Sequence, residues 1–128
     1  MKFLTVQDLA LIYIQIIDAS GGSQGVRDSG RLESAVASVD QSVFGQDLYA
    51  TVYDKAAALL RAIIAEHAFI DGNKRTGMMS ALVFLNLNGV NTEALKDQDL
   101  EDFAVQVAVE HLDIPAIAAW LEAHITAR

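Results

Sequence analysis

The sequence contains no cysteine, which excludes a disulfide framework and any metal site built from thiolates. Basic residues are also scarce, with 9 Lys and Arg against 17 Asp and Glu and a net charge of -8. Nonspecific binding to nucleic acid or to an anionic membrane depends on many Lys and Arg contacts to phosphate. The charge balance therefore disfavours both, and is more compatible with docking onto a basic partner.

Long apolar runs and several well-known motifs are missing as well. No run approaches the ~20 apolar residues that a membrane-spanning helix needs, and the N-terminus lacks the apolar core and cleavage site of a signal peptide. We therefore expect a cytoplasmic protein without a membrane partner. A Walker A loop, a His-Glu-x-x-His zinc pair and an EF-hand loop are all absent from the sequence, so three common nucleotide and metal sites are excluded.

The apolar residues that are present recur mostly at helical spacing. A chain of 128 residues predicts one domain, residues 1–128, which buries roughly two-thirds of the surface that its unfolded chain exposes. The spacing predicts an all-α fold, a compact bundle of about six helices.

Capping residues and glycines divide this pattern into segments. The first predicted helix runs from about Val6 to Ala19, starts at a Thr5/Asp8 capping arrangement and is followed by a flexible break from Ser20 to Gly25. A short second helix is capped by Asp28 or Ser29. A surface loop from Gln41 to Tyr49 then leads into a long helix from about Tyr49 to His67. The later ones are a helix ending at Asn88 and Gly89, a helix starting at Asp97 or Asp99, and a last helix starting at Asp113.

Three details of the later helices give further predictions. Gly77 lies inside a helix, where glycine costs about 1 kcal/mol relative to alanine, so another backbone or a ligand should pass close to it. Val105, Val107 and Val109 alternate, so a strand is the alternative for that segment. The isolated His111 is interpreted as a surface or capping residue, and so is His124.

The stretch His67–Thr76, here called the central motif, concentrates the chemically useful side chains between two apolar segments. Backbone N–H groups at a helix N-terminus lack intrahelical partners and carry positive partial charge, so the chain from Gly72 onward is suited to hold phosphate. His67 can accept a proton from a hydroxyl as a neutral imidazole, and Asp71 can hold Mg²⁺ that bridges phosphate oxygens. These properties suggest nucleotide phosphoryl chemistry.

The side chains that follow can complete an anion site. Asn73 can hydrogen-bond a phosphate oxygen, Lys74 adds a point charge, and Arg75 can clamp phosphate with two parallel hydrogen bonds. Structural roles compete with these functional ones. His67 can cap a helix C-terminus, Asp71 can be the N-cap of the next helix, and the two cations can be solvated surface charges.

The central motif, read as His-Ala-Phe-Ile-Asp-Gly-Asn-Lys-Arg-Thr, resembles the signature of the Fic/Doc family in its death-on-curing toxin branch. The resemblance extends to three flanking segments and covers most of the span from Gly25 to Val90. The flanking segments are Gly25–Gly30 with Leu32–Ala35, Phe44–Tyr49, and Val83–Leu85 with Asn88 and Gly89. It implies the compact all-α fold of that family.

The resemblance also implies a nucleotide-dependent transferase that acts on a protein hydroxyl with ATP and Mg²⁺. By this analogy His67 is the catalytic base, Asp71 is the metal ligand and a catalytic residue, and Phe69 anchors the loop in the core beside the cofactor. The anion site that holds the cofactor is formed by Gly72, Asn73, Lys74 and Arg75, with Arg75 also catalytic. The segment from about Gln41 to Tyr49 corresponds to the family's flap, against which the target protein is held.

Departures from the family pattern favour one chemistry. Members that transfer adenylate carry glycine where this chain has Lys74, and a second arginine where it has Met78. In the death-on-curing branch the nucleotide binds reversed and presents its γ-phosphate to the hydroxyl, so the resemblance implies a kinase whose target class is elongation factor Tu. Gly72 is closer to the adenylylating pattern, so an adenylyl transferase is the alternative.

Members that restrain themselves carry a Ser or Thr followed four residues later by Glu and then by Gly or Asn. Ser29 and Glu33 match this pattern in part, but Ser34 follows, and Ser29 is better interpreted as a helix start. The resemblance therefore implies restraint by a separate antitoxin protein, with no direct nucleic-acid partner. A second alternative is a non-catalytic helical binding module that retains the central motif only as helix caps.

Overall fold

The computed structural model describes residues 1–22 and 25–126. Within these ranges the chain forms six helices and one small sheet, which confirms the predicted all-α bundle. The elements are α1 (Val6–Ser20), α2 (Ser29–Val39), β1 (Ser42–Val43), β2 (Gln46–Asp47), α3 (Val52–Glu66), α4 (Asn73–Leu87), α5 (Asp97–Glu110) and α6 (Ile114–Thr126). Ser23 and Gln24, part of the predicted flexible break, lie outside the described residues.

Predicted helix caps are confirmed at three N-termini. Thr5 and Asp8 form a reciprocal capping box at α1, in which the Asp8 N–H donates to Thr5 Oγ1 and the Thr5 N–H donates to Asp8 Oδ2. Asp28 caps α2 by accepting hydrogen bonds from two backbone N–H groups. Asp113 accepts from the N–H of Ala116 at the start of α6, at 2.9 Å. Each cap satisfies N–H groups that the helix itself leaves without partners.

One helix boundary differs from the prediction, and one alternative is wrong. α3 begins at Val52, later than expected, because Thr51 and Asp54 form a second capping box. The segment with alternating valines is helix α5, so the strand alternative is wrong. Val107 is buried while Val105 is exposed, and the other buried residues of α5 lie at helical spacing from it, namely Leu100, Phe103 and Ala104.

The segment Gln41–Tyr49 was predicted as a surface loop and is instead a surface β-hairpin. β1 and β2 pair antiparallel, with Val43 opposite Gln46. The two turn residues, Phe44 and Gly45, have φ angles of 51° and 79°, which is the left-handed geometry that matches the twist of a two-residue hairpin. The prediction failed because a left-handed phenylalanine is rare.

The core lies around α3, which packs against α2, α4 and α6. Gly77 of α4 lets this helix approach α3 closely, since a Cβ added there would lie 3.3 Å from the carbonyl oxygen of Leu60. The predicted close approach of another backbone is therefore confirmed. No helix in the described ranges has the length and apolar character needed to cross a membrane.

Candidate active site

The loop between α3 and α4, residues 67–72, has left-handed backbone at both ends. His67 follows α3 with a φ of 51°, and Gly72 precedes α4 with a φ of 77°. The guanidinium of Arg31, on α2, donates to the carbonyl of Glu66 at 2.7 Å. This hydrogen bond satisfies a carbonyl that the end of α3 leaves without a partner, and it fixes the residue immediately before His67.

The side chain of Asn73 closes this loop on itself. Its Oδ1 accepts from the backbone N–H of Phe69 at 3.1 Å, and its Nδ2 donates to the carbonyl of Phe69 at 2.9 Å. The sequence predicted that this amide would bind a phosphate oxygen, whereas in the structure both of its polar ends hold the loop. The backbone N–H of Asn73, at the start of α4, is a further donor that this residue offers to a ligand.

Asp71 does not cap α4, so the structural alternative in which it is the N-cap of this helix is wrong. The N-cap is Gly72, and no side chain makes a capping hydrogen bond there. The Asp71 Oδ1 atom instead accepts from the N–H of Gly72 at 2.8 Å. The carboxylate is thus oriented by the loop backbone, and its side chain is exposed in the groove described below.

A short segment before α2 braces the loop from outside. Val26 forms an antiparallel bridge with Phe69, and the N–H of Ile70 donates to the carbonyl of Gly25 at 3.0 Å. These contacts resemble the pairing of two antiparallel strands. The loop backbone is therefore held by the segment before α2 as well as by the Asn73 side chain.

Tyr13 of α1 connects this brace to the core. Its hydroxyl accepts from the N–H of Gly25 at 2.8 Å and lies 3.3 Å from the carbonyl of the same residue. Its ring stacks on Phe69, with centroids 4.0 Å apart and an interplanar angle of 6°. Phe69 is fully buried, so its side chain anchors the loop and does not reach a ligand. Sequence reasoning assigned Tyr13 only to the apolar face of a helix and missed this role.

A groove of about 810 Å³ lies beside the loop, between the end of α1, the start of α4 and one face of α5. Asp71, Gly72, Asn73, Lys74 and Arg75 line it together, and Met79, Leu82 and Val105 form an apolar part. Its volume falls within the range of small-molecule sites. Of the predicted site residues, His67 and Phe69 do not line the groove, and the His67 side chain is exposed.

The groove wall at the start of α4 is suited to an anion. The first backbone N–H groups of a helix have no intrahelical acceptor, and here the first bond of this end runs from the Thr76 N–H to the Gly72 carbonyl at 2.9 Å. Lys74 and Arg75 add two exposed cations, and Arg75 Nη2 lies 4.0 Å from Glu101 Oε1 of α5. Because both members of that pair are more than half exposed, an incoming phosphate can compete for the guanidinium.

The space around Asp71 fits a magnesium ion shared with a nucleotide. A Cβ added to Gly22 would lie 2.8 Å from Asp71 Oδ2, so the glycine keeps the approach to this oxygen open. No group of three or more His, Cys, Asp or Glu side chains in the described part of the chain could hold a metal. Magnesium often binds through one or two carboxylates plus substrate phosphates, which is the arrangement that a single Asp71 offers.

Comparison with known proteins identifies the family of this chain. The model of the Fic/DOC family matches residues 3–85, a range that includes α1, the hairpin and the whole central motif. The chain belongs to the Fic/DOC family. The resemblance noted in the sequence is thereby confirmed, and the six-helix structure is consistent with the compact all-α fold of Fic/DOC proteins.

Two relatives of this Fic/DOC chain carry functional names. Toxin Doc of Mycolicibacterium smegmatis is 46% identical over 104 residues, which cover 80% of each chain. Protein kinase doc of Escherichia phage P1 is 30% identical over 118 residues, which cover 92% of this chain and 91% of the relative. One name describes a toxin and the other a protein kinase.

Proposed function

We propose that this protein is a toxin-type protein kinase that transfers the γ-phosphate of ATP to a hydroxyl of a translation factor of the elongation factor Tu type. The observation that carries the proposal is the convergence of Asp71, Lys74 and Arg75 with the N-terminus of α4 on one wall of the groove. Inhibition of translation is the expected consequence in the cytoplasm.

Each residue has a distinct part in the reaction. The target hydroxyl attacks the γ-phosphorus, the bond from phosphorus to the oxygen of the departing ADP breaks, and His67 takes the hydroxyl proton. Lys74, Arg75 and the backbone N–H groups from Asn73 onward hold the phosphates and counter their charge. Asp71 would hold Mg²⁺, which would supply positive charge to counter the negative charge of the phosphates.

Two residues favour phosphate transfer over adenylate transfer. Lys74 occupies the position where adenylyl-transferring members carry glycine, and its side chain should obstruct the phosphate pose that glycine leaves open. Met78 occupies the position of their second arginine, and it is only 5% exposed within the groove wall. The groove therefore lacks one of the cations on which the adenylyl-transferring members depend. The name of the phage relative, a protein kinase, supports the same choice.

Restraint of the toxin is assigned to a separate antitoxin protein. Ser29, the nearest match to an internal restraining motif, opens α2 beside its N-cap Asp28, so it serves the helix start that the sequence predicted. The net charge of -8 suits a partner that carries complementary basic groups.

The test is the intact mass of purified elongation factor Tu after incubation with this protein, ATP and Mg²⁺, beside a His67→Ala control. A gain of one phosphate that the control lacks is the expected result. A gain of one adenylate would replace the kinase with an adenylyl transferase, the reaction that Gly72 favours. If no candidate factor changes mass and calorimetry detects no ATP binding, the chain is a non-catalytic binding module.

A further inference from the structure

Lys55 is the one charged side chain that is buried in the described part of the chain, with 2% of its surface exposed. It also lies in the first turn of α3, where the positive end of the helix dipole disfavours a cation. Lysine is almost never fully buried unless it is paired. Its position therefore requires strong partners, and the proposed reaction gives it no role.

Both partners of Lys55 lie in the segment Gln41–Tyr49 that forms the hairpin. The ammonium forms an ion pair with Asp47 at 3.2 Å, on strand β2. It also donates to the backbone carbonyl of Tyr49. Asp47 is more than half exposed, so the pair joins the surface hairpin to a group inside the helical bundle.

The hairpin has little else to hold it in place. All four residues of β1 and β2 are exposed, and the Phe44 side chain at the tip is fully exposed. The Leu48 N–H donates to the carbonyl of Gln41 at 2.8 Å, but this bond stays within the segment. An isolated two-stranded hairpin is marginally stable in water. Among the described residues, the hydrogen bonds that join this segment to the bundle end on Lys55.

We propose that Lys55 is a positioning residue for the protein substrate, because it fixes the orientation in which the hairpin and its Phe44 ring meet the target. The inference rests on the proposed function and on the flap role that the family resemblance implies for the segment Gln41–Tyr49. Phe44 supplies an apolar contact at the tip, and the buried ammonium keeps that contact in a constant place relative to α3.

This role predicts a selective effect on kinetics. The groove proposed for ATP is lined by α1, α4, α5 and the loop between α3 and α4, and no hairpin residue contributes to it. Loosening the hairpin should therefore weaken capture of the protein substrate without weakening ATP binding.

The experiment compares Lys55→Met with Lys96→Met in the full chain. Lys96 is exposed and its side chain makes no capping hydrogen bond, so its variant repeats the same chemical change without releasing the hairpin. Methionine has a similar volume, and because Asp47 is more than half exposed the change leaves no buried charge without its partner. We therefore expect the variant to fold, and thermal unfolding checks this. In Lys55→Met we expect the KM for the protein substrate to rise at least tenfold, because the variant removes both contacts of the ammonium and the loss of one hydrogen bond to a charged group already corresponds to about tenfold.

Amide hydrogen exchange provides a readout that does not depend on activity. Residues 42–48 should exchange faster in Lys55→Met than in the wild type or in Lys96→Met, while the amides of α4 stay unchanged. Asp47→Asn should show a smaller effect because the Tyr49 carbonyl remains, and combining it with Lys55→Met should add nothing further.

Two results would overturn the inference. Unchanged exchange across residues 42–48 in Lys55→Met would show that the ammonium does not hold the hairpin, whatever the activity. Faster exchange with an unchanged KM for the protein substrate would show that the hairpin's position does not matter for capture. A wild type that modifies no protein hydroxyl refutes the proposed function separately, and the exchange result still decides the tether.

Discussion

Replacing Asn73 by alanine should destabilise the protein through the loop rather than through the helix that the residue begins. The amide makes two hydrogen bonds to the backbone of Phe69, at 3.1 and 2.9 Å. Alanine removes both and leaves a backbone N–H and carbonyl of a fully buried residue without these partners. Helix propensity acts in the opposite direction, because alanine is the better helix former.

The size of the effect follows from these bonds. A typical intramolecular hydrogen bond contributes about 0.5–1.5 kcal/mol net, and two of them give about 1–3 kcal/mol. The gain in helix propensity offsets about 0.5 kcal/mol of this. We therefore expect Asn73→Ala to lower the free energy of unfolding by about 0.5–2.5 kcal/mol.

Urea unfolding followed by circular dichroism measures the change. The midpoint should fall while the slope stays constant, since the surface exposed on unfolding is nearly the same. Asn86→Ala is the matched control, because Asn86 is exposed and its side chain accepts a single hydrogen bond from Thr92. An Asn73→Ala variant no less stable than this control would refute the assignment of Asn73 as the residue that closes the loop.

Two further substitutions test the contacts that α1 makes with the site. Tyr13→Phe keeps the ring stack but removes the hydroxyl that bonds Gly25. We expect the free energy of unfolding, measured by thermal unfolding, to fall by about 1–2 kcal/mol. A decrease below about 0.5 kcal/mol would contradict the bracing role. Gly22→Ala places a Cβ 2.8 Å from Asp71 Oδ2, so we expect weaker binding of ATP with Mg²⁺ by calorimetry and little change in stability. Unchanged affinity would mean that the observed position of Asp71 is not needed for binding.

Local chemistry explains which parts of the fold were predictable. The start of α1 follows from Thr5 and Asp8 because a capping box involves residues three apart. The hairpin was missed because its turn uses Phe44 in a left-handed conformation, which neighbouring residues do not signal. The start of α3 is in principle visible in the sequence, because Thr51 and Asp54 stand three residues apart as a capping box requires, whereas the apolar spacing alone extends the helix back to Tyr49.

The site was predictable in composition but not in its internal bonding. The sequence placed Asp71, Lys74 and Arg75 together because they are close along the chain and lie at a helix start. The hydrogen bonding of the Asn73 side chain to the Phe69 backbone depends on how the loop bends, which residue types alone do not specify. The hydroxyl of Tyr13 meets Gly25 only after α1 has packed onto the bundle, so no local pattern could have revealed it.

The brace formed by Tyr13, Gly25 and Phe69 makes the loop between α3 and α4 a product of the completed tertiary structure. During synthesis the central motif therefore lacks its final shape until α1 packs against it, so the proposed activity should appear only after folding is complete. In the same arrangement, a contact away from the groove can affect binding in the groove. A ligand that displaces α1 from Phe69 would loosen the loop and move one wall of the groove, so it would weaken binding in the groove without occupying it.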